Sequence, residues 1–445
     1  MVETKEENNL DFRKLVPVLV VVLVDVLGLT ILIPVLPYYA IAFGADAFTI
    51  GLLGSSYPAM QFLFAPVLGG LSDRIGRKPV LATAQLGTFF SLLILGFSNA
   101  LWVVFLSRIL DGITGANLST AQSVITDSTD SDSRAQGLGL IGATFGVGFV
   151  IGPALSGIAL WLSGNNYSAP AFLAAGFAFV SVILTTFVLE ETHPPEKRGQ
   201  SDEQRGLNFG RMKDYMLHPT LGIIFLFVFL NQVIFGSFQL TFAPFTLNKL
   251  GLNSLGNVIF FSVFGILSAI MQGGLAGPLN KRFGEQKLVY AGLFLFGLGF
   301  LLTGFTPTQP VTWYSRDALV QELQQRSDTT TPEQVEEQLA LLPPQDVEQG
   351  NRALFYMLST MLLVPIGFGM LNPNISSLLT KRADQSKIGE VLGVAAAFTA
   401  LGSVLGPLVG GIVFEGIGPN WVFLLGGIAA FLLLGLMRLR LKSVD

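Results

Sequence analysis

Twelve stretches of about twenty predominantly apolar residues recur along the chain, near 15–38, 48–69, 80–98, 101–123, 137–160, 170–189, 220–247, 254–277, 287–305, 353–379, 389–414 and 419–437. Each is long enough to cross the hydrocarbon core of a bilayer as a helix. Composition agrees: of 445 residues 51% are hydrophobic and 13% charged, where a soluble domain carries roughly 25% charged residues. The expected class is an all-α membrane protein of twelve transmembrane helices. The same scarcity of charge excludes disorder and nucleic-acid binding, and the absence of Cys excludes disulfides and thiol chemistry. No small-residue cleavage site follows the first apolar run, so that run is expected to persist as a span.

Basic residues orient the spans. With the N terminus inside, 21 of the 26 Lys and Arg share its side. Lys249, Arg316, Arg326 and Arg352 fall on the other side, and Arg108 lies within a span. The positive-inside rule then places both termini in the cytoplasm. Two polar segments interrupt the pattern. Residues 190–219 read as a cytoplasmic linker between a six-helix half, 1–189, and a second, 220–445. Residues 306–352, an extracytoplasmic insert between the ninth and tenth helices, hold eight acids and three bases. Within it Thr331, Pro332 and Gln334 suit the cap, first turn and capping box of a short helix. The insert reads as an acidic, solvated ornament; a lid or partner-binding element is the alternative.

The halves repeat. GGLSDRIGRKPV at 69–80 is echoed by GPLNKRFGEQKL at 277–288, an offset of 208, and GVGFVIGPALSG at 146–157 by ALGSVLGPLVGG at 400–411, an offset of 254. The offsets differ by 46 residues, about the length of the insert, so removing it puts both echoes in one register. Two related six-helix halves form the parallel-repeat arrangement of transporters, with the substrate near the midplane between them.

In the first echo Gly69 and Gly76 permit a tight turn, and Asp73 among Arg74, Arg77 and Lys78 permits ion pairs with neighbouring helix ends. That suits a conformational latch; positive-inside anchoring is the simpler alternative. Gly139, Gly148 and Gly152 fall roughly on one helix face, where another helix can approach, and Pro153 adds a kink. Static packing explains that pattern as readily as motion does.

Together these motifs resemble the major facilitator superfamily, and within it the twelve-span drug/proton antiporter branch that includes the tetracycline and multidrug efflux pumps. Asp25 to Gly28, running to Pro34 and Pro37, is similar to that branch's first-span signature, and Gly69 to Lys78 resembles the loop motif. Arg108, Gly112 and Gly115 resemble the fourth-span motif, with Asp111 where Gln or a small residue is commoner. Gly139, Gly148, Gly152 and Pro153 resemble the fifth-span antiporter motif, with Ser156 replacing a Gly. The resemblance implies a multi-pass protein of the inner or plasma membrane working by alternating access. It also implies that the loop, with Asp127 joining Asp73 and Arg77, stabilises the outward-facing state. Tetracycline pumps carry a His in span 8 and an Asp in span 9; residues 262–277 and 287–305 here contain neither.

Asp25, Arg108 and Asp111 fall well inside spans, where each costs about 2.5–3.5 kcal/mol on insertion scales. Asp25 is expected to be the main proton carrier, with Arg108 favouring its charged form and burial favouring its neutral one. Proton and cationic substrate would then compete for one carboxylate. Asp111 is the alternative carrier, although its i,i+3 spacing from Arg108 also suits a permanent pair. Amides and a ring inside spans, Gln61, Asn117, Gln232, Phe235, Gln239 and Asn372, are expected to line the substrate cavity, since lipid offers amides no partner.

The function expected is proton-coupled export of small amphipathic or cationic compounds by a monomer. A sugar or metabolite symporter or uniporter is the alternative, but it calls for Trp stacking, and Trp102, Trp161, Trp313 and Trp421 lie near span ends or outside them. His193 and His218, the only histidines, sit in the linker, so no catalytic His or metal cluster is expected at membrane depth. No phosphate-binding loop motif occurs. Neither enzymatic activity nor a cofactor is expected, only the proton gradient, a small-molecule substrate and the lipid bilayer.

Overall fold

The computed structural model describes residues 12–115, 117–129, 134–198, 209–218, 221–324, 332–384 and 387–441. Among them every regular element is helical. The first group comprises α1 (Phe12–Leu32), α2 (Leu36–Ala42), α3 (Ala47–Ile75), α4 (Arg77–Gly96), α5 (Leu101–Thr114), α6 (Asn117–Asp127), α7 (Arg134–Ser163) and α8 (Ser168–Phe187). The short α9 (Phe209–Met216) follows. Then come α10 (Gly222–Leu250), α11 (Ser254–Ala269), a π-turn (Ile270–Leu275), α12 (Ala276–Phe283), α13 (Glu285–Gly304), α14 (Arg316–Gln324) and α15 (Pro332–Ala340). The chain ends in α16 (Arg352–Met361), α17 (Leu363–Arg382), α18 (Ile388–Gly416) and α19 (Pro419–Leu441).

Among the described residues, ten helical stretches are long and apolar enough to cross a membrane. The stretches expected at 48–69 and 101–123 are helical but fall short. In α3, Ser55, Ser56, Tyr57 and Gln61 lower the mean hydropathy, and the helix expected over 101–123 breaks at Gly115 into α5 and α6. The helix expected in the insert is α15; Thr331 lies outside the described residues.

Local chemistry sets the ends. Asp46 caps α3 by accepting from the Thr49 N–H at 2.7 Å, and Asn253 caps α11 by accepting from Gly256 N–H at 3.2 Å. The α3–α4 turn passes through Gly76 at φ +111°, and the α12–α13 turn through Gly284 at φ +81°. These glycines are 208 residues apart, so the repeat read from the sequence is a repeat of backbone conformation.

Helices α1 and α3–α8 pack among themselves, as do α10–α13 and α16–α19; α3 against α18 and α7 against α11 join the two bundles. Small residues make the joins close. Gly51 of α3 lies on the Pro407 carbonyl of α18, Gly411 of α18 on the Ala47 carbonyl, and Gly265 of α11 on Phe149 of α7. Within the bundles, Gly148 and Gly152 let α7 seat on Val26 and Thr30 of α1, and Gly406 lets α18 seat on Val233 and Gly236 of α10. Thr30 Oγ1 donates to the Gly148 carbonyl at 3.0 Å, and Ser237 Oγ to the Gly406 carbonyl at 2.7 Å.

Hydrogen bonds between the bundles gather towards the face that carries the insert. Ser55 Oγ donates to the Val404 carbonyl at 2.6 Å, Tyr38 Oη to the Leu252 carbonyl at 3.0 Å, and Asn257 Nδ2 to the Pro34 carbonyl at 2.8 Å. The insert is no solvated ornament. Leu319, Leu323, Leu341 and Leu342 are buried in the main hydrophobic core, and Gln338 is 3% exposed. An apolar stripe at i,i+4 spacing outweighs the acids around it.

Candidate substrate and proton site

A cavity of about 500 Å³ lies between the bundles. Gln61 and Arg108 line it from the first bundle; Gln232, Phe235, Gln239, Gln272, Phe368 and Asn372 line it from the second. Five of the six residues expected to line the cavity are therefore in its wall, and the side chain of the sixth, Asn117, lies outside the described residues. Phe235 stacks on Phe368 with ring centroids 4.3 Å apart and planes 17° from parallel. Gln232 donates to Ser403 Oγ at 3.0 Å, and Gln61 donates to the Gly115 carbonyl at 2.8 Å and to Tyr57 Oη at 3.2 Å.

Behind Tyr57 and Gln61 lies a smaller cavity of about 180 Å³, onto which Asp25, Asp111 and Thr88 open. Leu29, Tyr57, Gln61 and Phe145 line both cavities. Asp25 accepts from Ser181 Oγ at 2.8 Å and from Gln85 Nε2 at 3.4 Å. Arg108 forms an ion pair with Asp111 at 3.1 Å, both deeply buried. The three charges expected at membrane depth thus gather in one region, and the pairing is between Arg108 and Asp111. Asp25, where substrate and proton were expected to compete, lines the smaller cavity and is absent from the wall of the larger. Sequence reading missed Gln85 and Ser181, both fully buried. The available signal was a polar residue inside an apolar run, which must find a partner within the protein.

At the far end of the first bundle from the insert, Arg77 is the hub of a charge cluster. It pairs with Asp73, reaches Asp127 Oδ2 through Nε at 3.0 Å, and donates from Nη1 to Ser72 Oγ at 2.8 Å. Glu191, from the segment after α8, accepts from the backbone N–H of Arg77 at 2.9 Å and of Lys78 at 3.3 Å, so it caps the start of α4. His193 lies 3.9 Å from Asp127, and Arg198 lies 3.7 Å from Glu191. Asp73, Arg77 and Asp127 are thus brought together, the grouping that the family resemblance implied. Arg74 is exposed, and a Cβ at Gly69 would meet nothing within 4 Å, so neither adds to the cluster. Glu191 was hidden in a stretch read only as linker. Of the helix 5 motif, Gly148, Gly152 and Pro153 lie within α7. The surroundings of Gly139 lie outside the described residues.

A second ion pair repeats this one with its signs exchanged. Glu285, at the start of α13, pairs with Lys381 at the end of α17 and accepts from Ser377 Oγ at 2.9 Å. Glu285 is 208 residues after Arg77, and Lys381 is 254 after Asp127, the two offsets of the sequence repeat. Among the described residues no group of three or more His, Cys, Asp or Glu is placed to hold a metal ion.

Two bundles of membrane-length helices around a polar-flecked cavity have the arrangement of a multi-pass membrane transporter. The family profile of the Major Facilitator Superfamily matches residues 18–320 and 347–444, and the chain belongs to that superfamily. It is 30% identical over 420 residues to the class C tetracycline resistance protein of Escherichia coli, covering 92% of this chain and 91% of that one. It is 24% identical over 421 residues to multidrug resistance protein 2 of Bacillus subtilis (strain 168), covering 93% and 92%. Its fold is similar to the human organic anion transporter MFSD10 (TM-score 0.64, 23% identity, 95% and 99% covered). It is also similar to the nucleoside transporter NupG (TM-score 0.69, 16% identity, 96% and 99% covered). The chain is a protein of the inner or plasma membrane.

Proposed function

We propose that this protein exports small amphipathic compounds in exchange for protons, by alternating access of the central cavity to the two sides of the membrane. In this reading the chain has twelve spans in two six-helix halves, 1–189 and 220–445, joined by a cytoplasmic linker at 190–219, with both termini in the cytoplasm. The stretches at 48–69 and 101–123 supply two of these spans and place Gln61 and Arg108 on the cavity wall.

The observation that carries the reading is two carboxylates at membrane depth, part-buried Asp25 and buried Asp111, on one cavity that shares a wall with the larger one. A charge at that depth is costly to enclose unless it is paired or protonated. Asp25, which accepts from Ser181 and Gln85, is the proton carrier; Asp111, paired with Arg108, is the second candidate. Protonation on one side and release on the other moves the proton, and Tyr57 and Gln61, common to both cavities, pass its state to the substrate. The cluster of Asp73, Arg77, Lys78 and Asp127 acts as a latch on the linker side.

The test is proton flux in energised inside-out vesicles, as drugs, sugars and organic anions are added to wild type and Asp25→Asn. Drugs should dissipate the pH gradient in wild type only. Full drug-driven flux in Asp25→Asn removes Asp25 from the mechanism, and sugar-driven flux in the opposite direction discards exchange.

A further inference from the structure

The larger cavity has an asymmetry that bears on what it binds. Among the described residues no carboxylate lines it, and Arg108 is the one charged residue that does. Arg108 is 2% exposed, and its Nε has no hydrogen-bond partner among the described residues. A buried donor without an acceptor favours a ligand that brings one. Asp111 is engaged by Arg108, so a cation in this cavity would find no carboxylate on its wall to balance it. Across the cavity the stacked Phe235 and Phe368 offer a surface for a flat ring. We propose that the cavity selects uncharged, flat aromatic compounds that present a hydrogen-bond acceptor to Arg108, and discriminates against simple cations. This rests on the transport reading above and narrows its substrate.

Ring faces also attract cations, so the test sets the two forces against each other. Binding of chloramphenicol, an uncharged nitroaromatic amide, and of ethidium, a flat permanent cation, is measured on the purified full-length protein, with proton flux followed in proteoliposomes. Chloramphenicol should bind at least about tenfold tighter, a difference of about 1.4 kcal/mol. Gln239→Glu, which supplies the missing carboxylate, should reverse the order. Ethidium binding to wild type as tightly as chloramphenicol, or binding of neither, overturns the selection. Selective chloramphenicol binding without proton flux overturns the exchange and leaves the selection standing.

A different observation concerns the insert. The superfamily match omits residues 321–346, yet Glu322 at the end of α14 accepts four hydrogen bonds drawn from both bundles. From the α7–α8 loop come Tyr167 Oη at 2.9 Å and Asn165 Nδ2 at 3.2 Å. From the start of α11 come Ser254 Oγ at 3.1 Å and Asn253 Nδ2 at 3.2 Å. Burial, reinforced by the adjacent carboxylate, holds the Tyr167 phenol well above its usual pKa and keeps it a donor. Gln338 of α15 adds bonds to the Ile41 and Ala42 carbonyls at the end of α2, at 3.0 and 3.1 Å. We infer that α14 and α15 form a clasp that ties the bundles together on the insert face and must release before that face opens.

The chain has no Cys, so spin labels on Ser163→Cys and Glu415→Cys would report the separation of the bundles by pulsed electron resonance. Glu322→Ala should add a longer-distance population, Glu322→Gln a smaller one, and Glu322→Ala with Gln338→Ala the largest. An unchanged distance distribution in the double variant, with cooperative unfolding intact, overturns the clasp. Loss of cooperative unfolding in Glu322→Gln would overturn it too, by showing that Glu322 holds the fold rather than a conformation.

Discussion

The two bundles share a backbone plan and differ in chemistry. In the first, charge sits at membrane depth: Asp25, accepting from Ser181 and Gln85, and Arg108 paired to Asp111. In the second, the corresponding wall carries the amides Gln232, Gln239 and Gln272 and the Phe235–Phe368 stack. On the linker face the same ion pair recurs with its signs exchanged, as Arg77 with Asp127 and as Glu285 with Lys381. Geometry was kept through the repeat, in the turns at Gly76 and Gly284 and the seating of Gly152 and Gly406. Charge was free to diverge, because a pair holds two helix ends together whichever helix carries the cation. At membrane depth the divergence gives one bundle the charged side chains and the other the ring surface.

That contrast can be broken most severely in the first bundle. Asp111→Asn leaves Arg108 buried without its carboxylate, and removing one partner of a buried pair costs about 3–5 kcal/mol. Denaturant unfolding in detergent should show that loss, and Arg108→Met with Asp111→Leu should restore most of it. A double variant no more stable than the single would mean that the pair is not what stabilises this region. In the second bundle, Phe235→Ala removes a stacked ring pair worth about 0.5–1.5 kcal/mol beyond its area. Ligand affinity should fall, while proton binding followed by infrared spectroscopy of the carboxylates stays unchanged; a shifted carboxylate band would end the division of labour. The smallest effect is expected at the exchanged pair. Lys381 is 63% exposed, so Lys381→Ala should cost under about 1 kcal/mol. Arg77→Ala removes the buried guanidinium from Asp73 and Asp127 and should cost several times more. Equal losses would show that burial does not distinguish the two pairs.

Much of this was legible in the sequence because apolar run length and glycine spacing are local signals. The runs became helices, and Asp73, Arg77 and Asp127 came together as their motif implied. What stayed hidden depended on distant residues meeting. Gln85 and Ser181 lie 60 and 156 residues from the Asp25 they hold. Glu191 reaches back 114 residues to cap α4. The insert misled because its acids dominate its composition, while a few leucines and two polar side chains, Glu322 and Gln338, decide where it goes. The break at Gly115 was also missed, since the glycine fitted a motif and its effect on helix continuity went unread.

The docked insert also sets an order of assembly. Glu322 follows Tyr167 by 155 residues, an interval of about 8–30 s for a ribosome adding 5–20 residues per second. Throughout that interval the first bundle waits in the membrane with the Tyr167 hydroxyl and the Asn165 amide still lacking their acceptor. The final closure of this face therefore belongs to a late stage of biogenesis, after α14 has been synthesised and carried to the side where its partners stand.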